Sequence, residues 1–297
     1  MRLGYPCQNL TLPTIFKTCR LKTMEQNGMS IIKDLTLHNI QELKRVLEWN
    51  INNDIYFFRI SSDMIPFATH KQMTWVWQED DDVQKALAEI KDLQQKWSLR
   101  LSMHPGQYTV LNSPREQVVT NAKEDLQYHH DFLKAVGGPD IILHTGGAYG
   151  DKEKAKQTFI SVFNSLDVSV QNMLRLENDD KVFHTQDVLD ISQQCGVIVC
   201  FDIHHEMCFN RTEDELLELF KQVKQTWSHT DMNPKVHISS GRRHEADPAH
   251  AELIRLEDFE RLERVTGSTD VDCMLEAKSK EKAVFTLREQ LKKREND

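Results

Sequence analysis

The stretch VIVCFDIHHE at residues 197–206 opens on a nearly unbroken apolar run and closes on Asp202, two histidines and Glu206. A strand with one wet face alternates polar and apolar side chains. A strand roofed by helices reads instead as a continuous apolar run, as in a parallel sheet. The next segment, RTEDELLELFKQVKQTW at 211–227, has helical spacing, and Thr212 with Glu215 makes a capping box at its start. KVHIS at 235–239 then reads as a second strand. The intervening chain is too long for a hairpin and long enough for a parallel crossover.

The same unit recurs from end to end. Besides 197–202 and 235–239, strands are expected at 2–7 (RLGYPC), 55–60 (IYFFRI), 98–104 (SLRLSMH), 140–144 (DIILH), 173–178 (MLRLEN) and 271–277 (VDCMLEA). Helical segments such as LTLHNIQELKRVLEWN, DDVQKALAEIKDLQQKW and SPREQVVTNAKEDLQYHHDFLKAV separate them, the last with Ser113, Pro114 and Glu116 as an expected N-terminal cap. Eight strand–helix units in 297 residues fit a single α/β domain over 1–297, a closed (β/α)8 TIM barrel, with a charged helix or tail from about 279. An open doubly wound sheet is the alternative. Neither the dinucleotide nor the P-loop glycine fingerprint occurs, so no organic cofactor is implied.

Composition bounds the class. Hydrophobic residues make up 39% and charged residues 28%, enough for a large core under an ionic surface, and no apolar run is long enough to cross a bilayer. No membrane association or export is expected, and a cytoplasmic setting is expected. The 46 acidic against 37 basic side chains give a net charge of -9, which disfavours loose adhesion to nucleic acid while leaving a local positive site open. The cysteines at 7, 19, 195, 200, 208 and 273 include no CxxC, so reduced thiols are expected and a zinc knuckle is not.

Chemistry gathers where the strands stop. His104, His144, Glu177, Asp202, His237 and Glu276 each follow an apolar run. In a barrel, such ends converge on one mouth. That many desolvated polar groups in one place are costly unless water or metal satisfies them, so a shared metal site is expected. Asp202 and His205 are neighbours across a tight turn, with His204 or Glu206 in support, whereas His129 and His130 lie in a helix and read as structural. Nitrogen and oxygen donors suit manganese, zinc or cobalt, and the carboxylate share favours manganese. Ions there could bridge a phosphodiester and activate a water against it.

RLGYPC, HPGQY, DIILHTGG, LRLEND, FDIHHE, KVHISSGRR and HEADPAH, in this order, make the chain from about Arg2 to Lys278 resemble the ultraviolet damage endonuclease family. The resemblance implies a barrel like those of endonuclease IV and xylose isomerase. It also implies hydrolysis of the phosphodiester immediately 5′ of UV photoproducts in double-stranded DNA, which starts alternative excision repair. Three divalent ions are implied, held by His70, His104, His144, Glu177, Asp202, His205, His237, His250 and Glu276. Glu177, Lys235 and His237 are the implied catalytic set, with Lys235 open to carboxylation. Gln107 and Tyr108 are implied to probe damaged DNA, and Tyr5 to face the displaced lesion. Arg242 and Arg243, with Lys17, Arg20 and Lys22, are expected phosphate contacts, while Trp75 and Trp77 read as loop packing. No obligate protein partner is inferred, and the protein is expected at the nucleoid when bound to DNA. An abasic-site endonuclease and a metal-dependent sugar isomerase remain the alternatives, separated by whether intact damaged strands are cut.

Overall fold

The computed structural model describes residues 1–13 and 15–296. Eight strands close into a parallel barrel in chain order: β1 (Arg2–Pro6), β2 (Phe57–Ile60), β3 (Arg100–Met103), β4 (Asp140–His144), β5 (Leu174–Glu177), β6 (Ile198–Asp202), β7 (Lys235–Ile238) and β8 (Asp272–Leu275). All eight expected strands form, most of them a residue or two shorter than the apolar runs. The closed ring excludes the open sheet, because β1 pairs with β8, Leu3 opposite Cys273.

Alternation along each strand sorts the side chains into two sets. Tyr5, Phe58, Leu101, Ile141, Leu143, Leu176, Val199, Phe201, Val236 and Cys273 point outward into one continuous core under the helices. The other parity fills the barrel. Phe57, Ile142, Cys200 and Met274 are buried there, outside that core.

At the N-terminal end the inward positions are charged and buried. Asp140 accepts from Arg100 Nε at 2.8 Å and Arg175 Nε at 2.9 Å, with Lys235 Nζ 3.1 Å away. Asp272 takes Arg100 at 2.8 Å. Trp227 lies against both guanidiniums, 5.2 and 5.4 Å from its ring centroid. Burial pushes the Lys235 ammonium down to about 8, with Arg100 adding to that and Asp140 opposing it.

Two expectations about helix ends separate here. Thr212 and Glu215 form their reciprocal capping box ahead of helix Glu213–Thr226. Ser113 does not cap: the helix begins at Glu116, Arg115 holds the cap position, and the Ser113 hydroxyl accepts the Arg115 amide at 3.2 Å in a turn before it. The hydroxyl is used up locally, two residues too early to reach the helix amides. Helix Glu281–Asn296 occupies the charged end of the chain.

Candidate metal centre

The inward parity that carries charge at the barrel's base carries imidazoles and carboxylates at its mouth. Pairing sets Glu177 beside His144 and Asp202 beside His237. Among the described residues three triads result, each with ligand atoms within 4.8 Å of one another: His104, His144 and Glu177; Glu177, His237 and Glu276; Glu177, Asp202 and His205. Glu177 belongs to all three. Its Oε2 lies 3.1 Å from His104 Nε2 and 3.5 Å from His144 Nε2, and its Oε1 2.6 Å from His237 Nδ1.

Backbone carbonyls set two of the rings. His104 Nδ1 donates to Pro105 O at 2.9 Å and His205 Nδ1 to Asn178 O at 2.8 Å, since a carbonyl can only accept. In the neutral rings this leaves Nε2 with a lone pair, the tautomer a metal ligand needs. His104 Nε2 meets the Glu177 carboxylate at 3.1 Å, a contact that a ring proton or a metal cation can satisfy.

Asp202 makes the same demand. Its Oδ1 accepts the His205 amide at 2.9 Å, but among the described residues its buried Oδ2 has no hydrogen-bond partner, and neither do buried His144 Nδ1 and His237 Nε2. Orphaned buried donors and acceptors carry a desolvation cost that coordination removes. The residues therefore fit divalent cations.

Electrostatics within the cluster keep the Glu177 and Glu276 carboxylates ionised and favour a proton on His205, which a cation bound there would displace. Burial would raise the Glu177 carboxyl, but the imidazoles of His237, His144 and His104 outweigh it and hold it well below the usual carboxylate range. Burial pulls His205 down, yet Asp202 and Glu177 prevail and lift it to about 9. Glu276 is also held low, by Arg59 and His237 against burial.

Arg59 belongs to none of the motifs that mark the site in the sequence. It projects inward from β2 and pairs with Glu276. A lone arginine in the apolar strand IYFFRI was the available signal. Asn178 was missed as well. Its side chain joins β5 to β6, accepting Asp202 N at 2.8 Å and donating to Asp202 O at 2.9 Å.

Other expected residues fall less centrally. His250 Nδ1 stands 4.0 Å from Glu276 Oε2, outside the triads. His70 joins none of them: its Nδ1 accepts the Gln72 amide at 3.2 Å and its ring meets Phe67 edge-on. Lys235, two residues before His237, faces Asp140 in the layer beneath. His204 and Glu206 hold loops, His204 against Asp247 O at 3.1 Å and Glu206 by accepting Thr185 N and Oγ1. His129 and His130 are buried in helix Glu116–Val136, as a structural reading requires.

Tyr5 requires a correction. It does not face the mouth: it is fully buried on the outward face of β1, donating its hydroxyl to Asn50 Oδ1 at 2.6 Å and accepting from Asn9 Nδ2 at 2.9 Å. Strand parity turns it into the helix layer. Gln107 and Tyr108 are exposed, Tyr108 at 83%, and with His104, His144 and His205 they line an open cavity of about 940 Å³. Arg242 and Arg243 are exposed, Arg243 paired with Asp247 at 2.7 Å, and Lys17, Arg20 and Lys22 are exposed too. Trp77 is buried and Trp75 donates to Asp80 at 3.2 Å, so both pack.

A family model described as UV-endonuclease UvdE matches residues 1–296. A protein of Clostridium perfringens (strain 13 / Type A) named UV DNA damage endonuclease is 35% identical, across 97% of this chain and 71% of that one. The solved structure of SacUVDE superposes with a TM-score of 0.89 at 36% identity, covering 99% of this chain and 98% of that one. Endonuclease IV from Thermus thermophilus shares the barrel, with a TM-score of 0.60 at 12% identity, over 99% of this chain and all of that one.

Proposed function

The chain belongs to the UV-endonuclease UvdE family, and from that premise we propose that it cuts the phosphodiester immediately 5′ of UV photoproducts in double-stranded DNA. One observation carries the reading: three His/carboxylate triads share Glu177, and three of their imidazoles, His104, His144 and His205, line an open cavity rimmed by Gln107 and Tyr108. Three divalent ions are the proposed complement, manganese first among them on the carboxylate share of the donors. When bound, such ions supply a Lewis acid for the phosphodiester and lower the pKa of an attacking water.

The chain's own groups do the rest. Glu177 and His237 fix the geometry, held by their 2.6 Å contact. The carbonyls behind His104 and His205 keep those rings in one tautomer. His70 and His250 complete the proposed ligand set if their loops close on the cluster. Gln107 and Tyr108 fill space where a damaged base leaves the stack, which makes weakened stacking the recognised property. Arg242 and Arg243 take flanking phosphates. Carboxylation of Lys235 would place a new anion beside Arg100 and Arg175, and intact-mass measurement reads it as a gain of about 44 Da on the chain. The expected products are a 3′-hydroxyl and a 5′-phosphate.

The test compares undamaged, cyclobutane-dimer, 6-4-photoproduct and abasic duplexes with manganese, and maps the break. Cutting 5′ of both photoproducts supports the reading. Exclusive cutting at abasic sugars, or sugar turnover without any cutting, overturns it.

A further inference from the structure

The loop after β4, from Thr145 to Asp151, carries a tyrosine that the strand pattern did not single out. Tyr149 is 52% exposed and lines the same cavity as His104, His144 and Tyr108. Its backbone is left-handed, with φ of 50°, a conformation that a bulky L residue adopts only at a cost. Its ring lies over Gly147, where an added Cβ would sit 3.1 Å from it.

The loop is built to hold that ring still. Asn112 is buried and reaches across from the loop after β3, which also bears Tyr108, to donate to Gly147 O at 2.9 Å. Gly146 has φ of 114°, and a Cβ there would collide with the Asn112 carboxamide. Asp151 closes the loop by donating its amide to Ala148 O at 2.9 Å, while its carboxylate caps helix Lys152–Asn164. A large ring on a tied loop, half in water and strained, gains little within the chain itself. Its face is available to a flat partner.

We propose that Tyr149 is a substrate-contacting residue, a stacking surface for a nucleobase that has left the duplex at the lesion. The inference rests on the DNA-cutting reading and adds a second aromatic surface to it, on the loop next to that of Tyr108. Stacking on an aromatic ring accepts any base, because every base has a π-face. Tyr149 therefore contributes to the affinity for displaced bases without selecting their sequence.

Single-turnover incision of a duplex bearing one thymine cyclobutane dimer, with the manganese-loaded protein at increasing concentration, separates affinity from the cleavage step. Tyr149→Ala should raise the concentration for half-maximal incision about ten-fold and leave the maximal rate within about two-fold. Tyr149→Phe and Tyr149→Trp should restore it. Tyr149→Gly should lose affinity as the alanine variant does while melting at a higher temperature, since glycine relieves the left-handed backbone. Manganese content should be unchanged throughout. An alanine variant with wild-type affinity, a fall confined to the maximal rate, or a phenylalanine variant as weak as alanine would each overturn the proposal. Failure of the wild type to cut the dimer duplex would instead sink the DNA reading, and this inference with it.

Discussion

Glu177 is the residue on which the site turns, because one carboxylate serves all three triads. Glu177→Gln keeps its size and removes its charge, so the variant should fold with the wild-type circular dichroism spectrum and bind fewer manganese ions per chain by elemental analysis. Incision should fall by more than the roughly 10–100-fold that follows loss of a partner beyond the coordinating atoms. Wild-type metal content in that variant would exclude Glu177 as the shared ligand. Tyr5 makes the opposite prediction. Tyr5→Phe strips the hydroxyl that joins Asn50 to Asn9 in the core, so it should cost about 1–2 kcal/mol in a denaturant melt and leave the ratio of damaged to undamaged cutting unchanged. A lost ratio with unaltered stability would return Tyr5 to the lesion. These two residues also mark how far the sequence could be read. Glu177 was legible because a carboxylate ending an apolar strand has few bland explanations. The burial of Tyr5 was not, because it depends on strand parity and on Asn50, which arrives from a helix 45 residues away. Arg59 escaped for the same reason, its partner Glu276 being 217 residues distant.

The strands were legible as elements because a parallel barrel buries both faces, and unbroken apolar runs are rare elsewhere in so charged a chain. Their edges were less so, since the residues that close a run can be mouth or base groups outside the ladder. The Ser113 cap failed at this scale: a local turn took the hydroxyl that a helix start would have used. What ties the elements together at the base is polar. Asp140 on β4 neutralises side chains from β3, β5 and β7 at once, and among the described residues three cations, Arg100, Arg175 and Lys235, share Asp140 and Asp272. Asp140→Asn leaves those cations short of a counterion in a dry place, which should cost about 3–5 kcal/mol. Burial opposes ionisation of Asp140, but Lys235, Arg100 and Arg175 outweigh it and hold its carboxyl below the ordinary range. A depressed carboxyl stabilises the fold fully above its unfolded value of about 3.9, and that contribution fades as pH falls through and below it. Wild-type stability should thus drop more steeply than that of Asp140→Asn below about pH 4. Parallel pH profiles would show that the layer is not held by this charge.

For the whole molecule the question is how a chain of net charge -9 takes hold of a polyanion. Its mouth does not help unaided: Glu177 and Asp202 are buried there and Glu276 is partly buried, with Arg59 as the close guanidinium. Exposed Arg242 and Arg243 add positive charge at the surface, but Arg243 is already paired with Asp247. The proposed divalent ions would reverse the balance, since three of them would bring +6 against three carboxylates. Nearby charges outweigh distant, salt-screened ones, so with those ions bound the reversal would be felt at the scissile phosphate while the acidic exterior would not. Two consequences are measurable by anisotropy on a dimer-containing duplex. Chelation should weaken binding more than about ten-fold and lower the melting temperature, because ions that bind only the folded chain stabilise it by mass action. Manganese should restore both. With few phosphates met by side chains, the slope of log affinity against log salt for the loaded protein should be shallow, about -2 to -4, corresponding to roughly two to four phosphate contacts. A slope steeper than about -6, or binding that survives chelation, would mean that an extended basic surface holds the DNA and that the ions serve the cut alone.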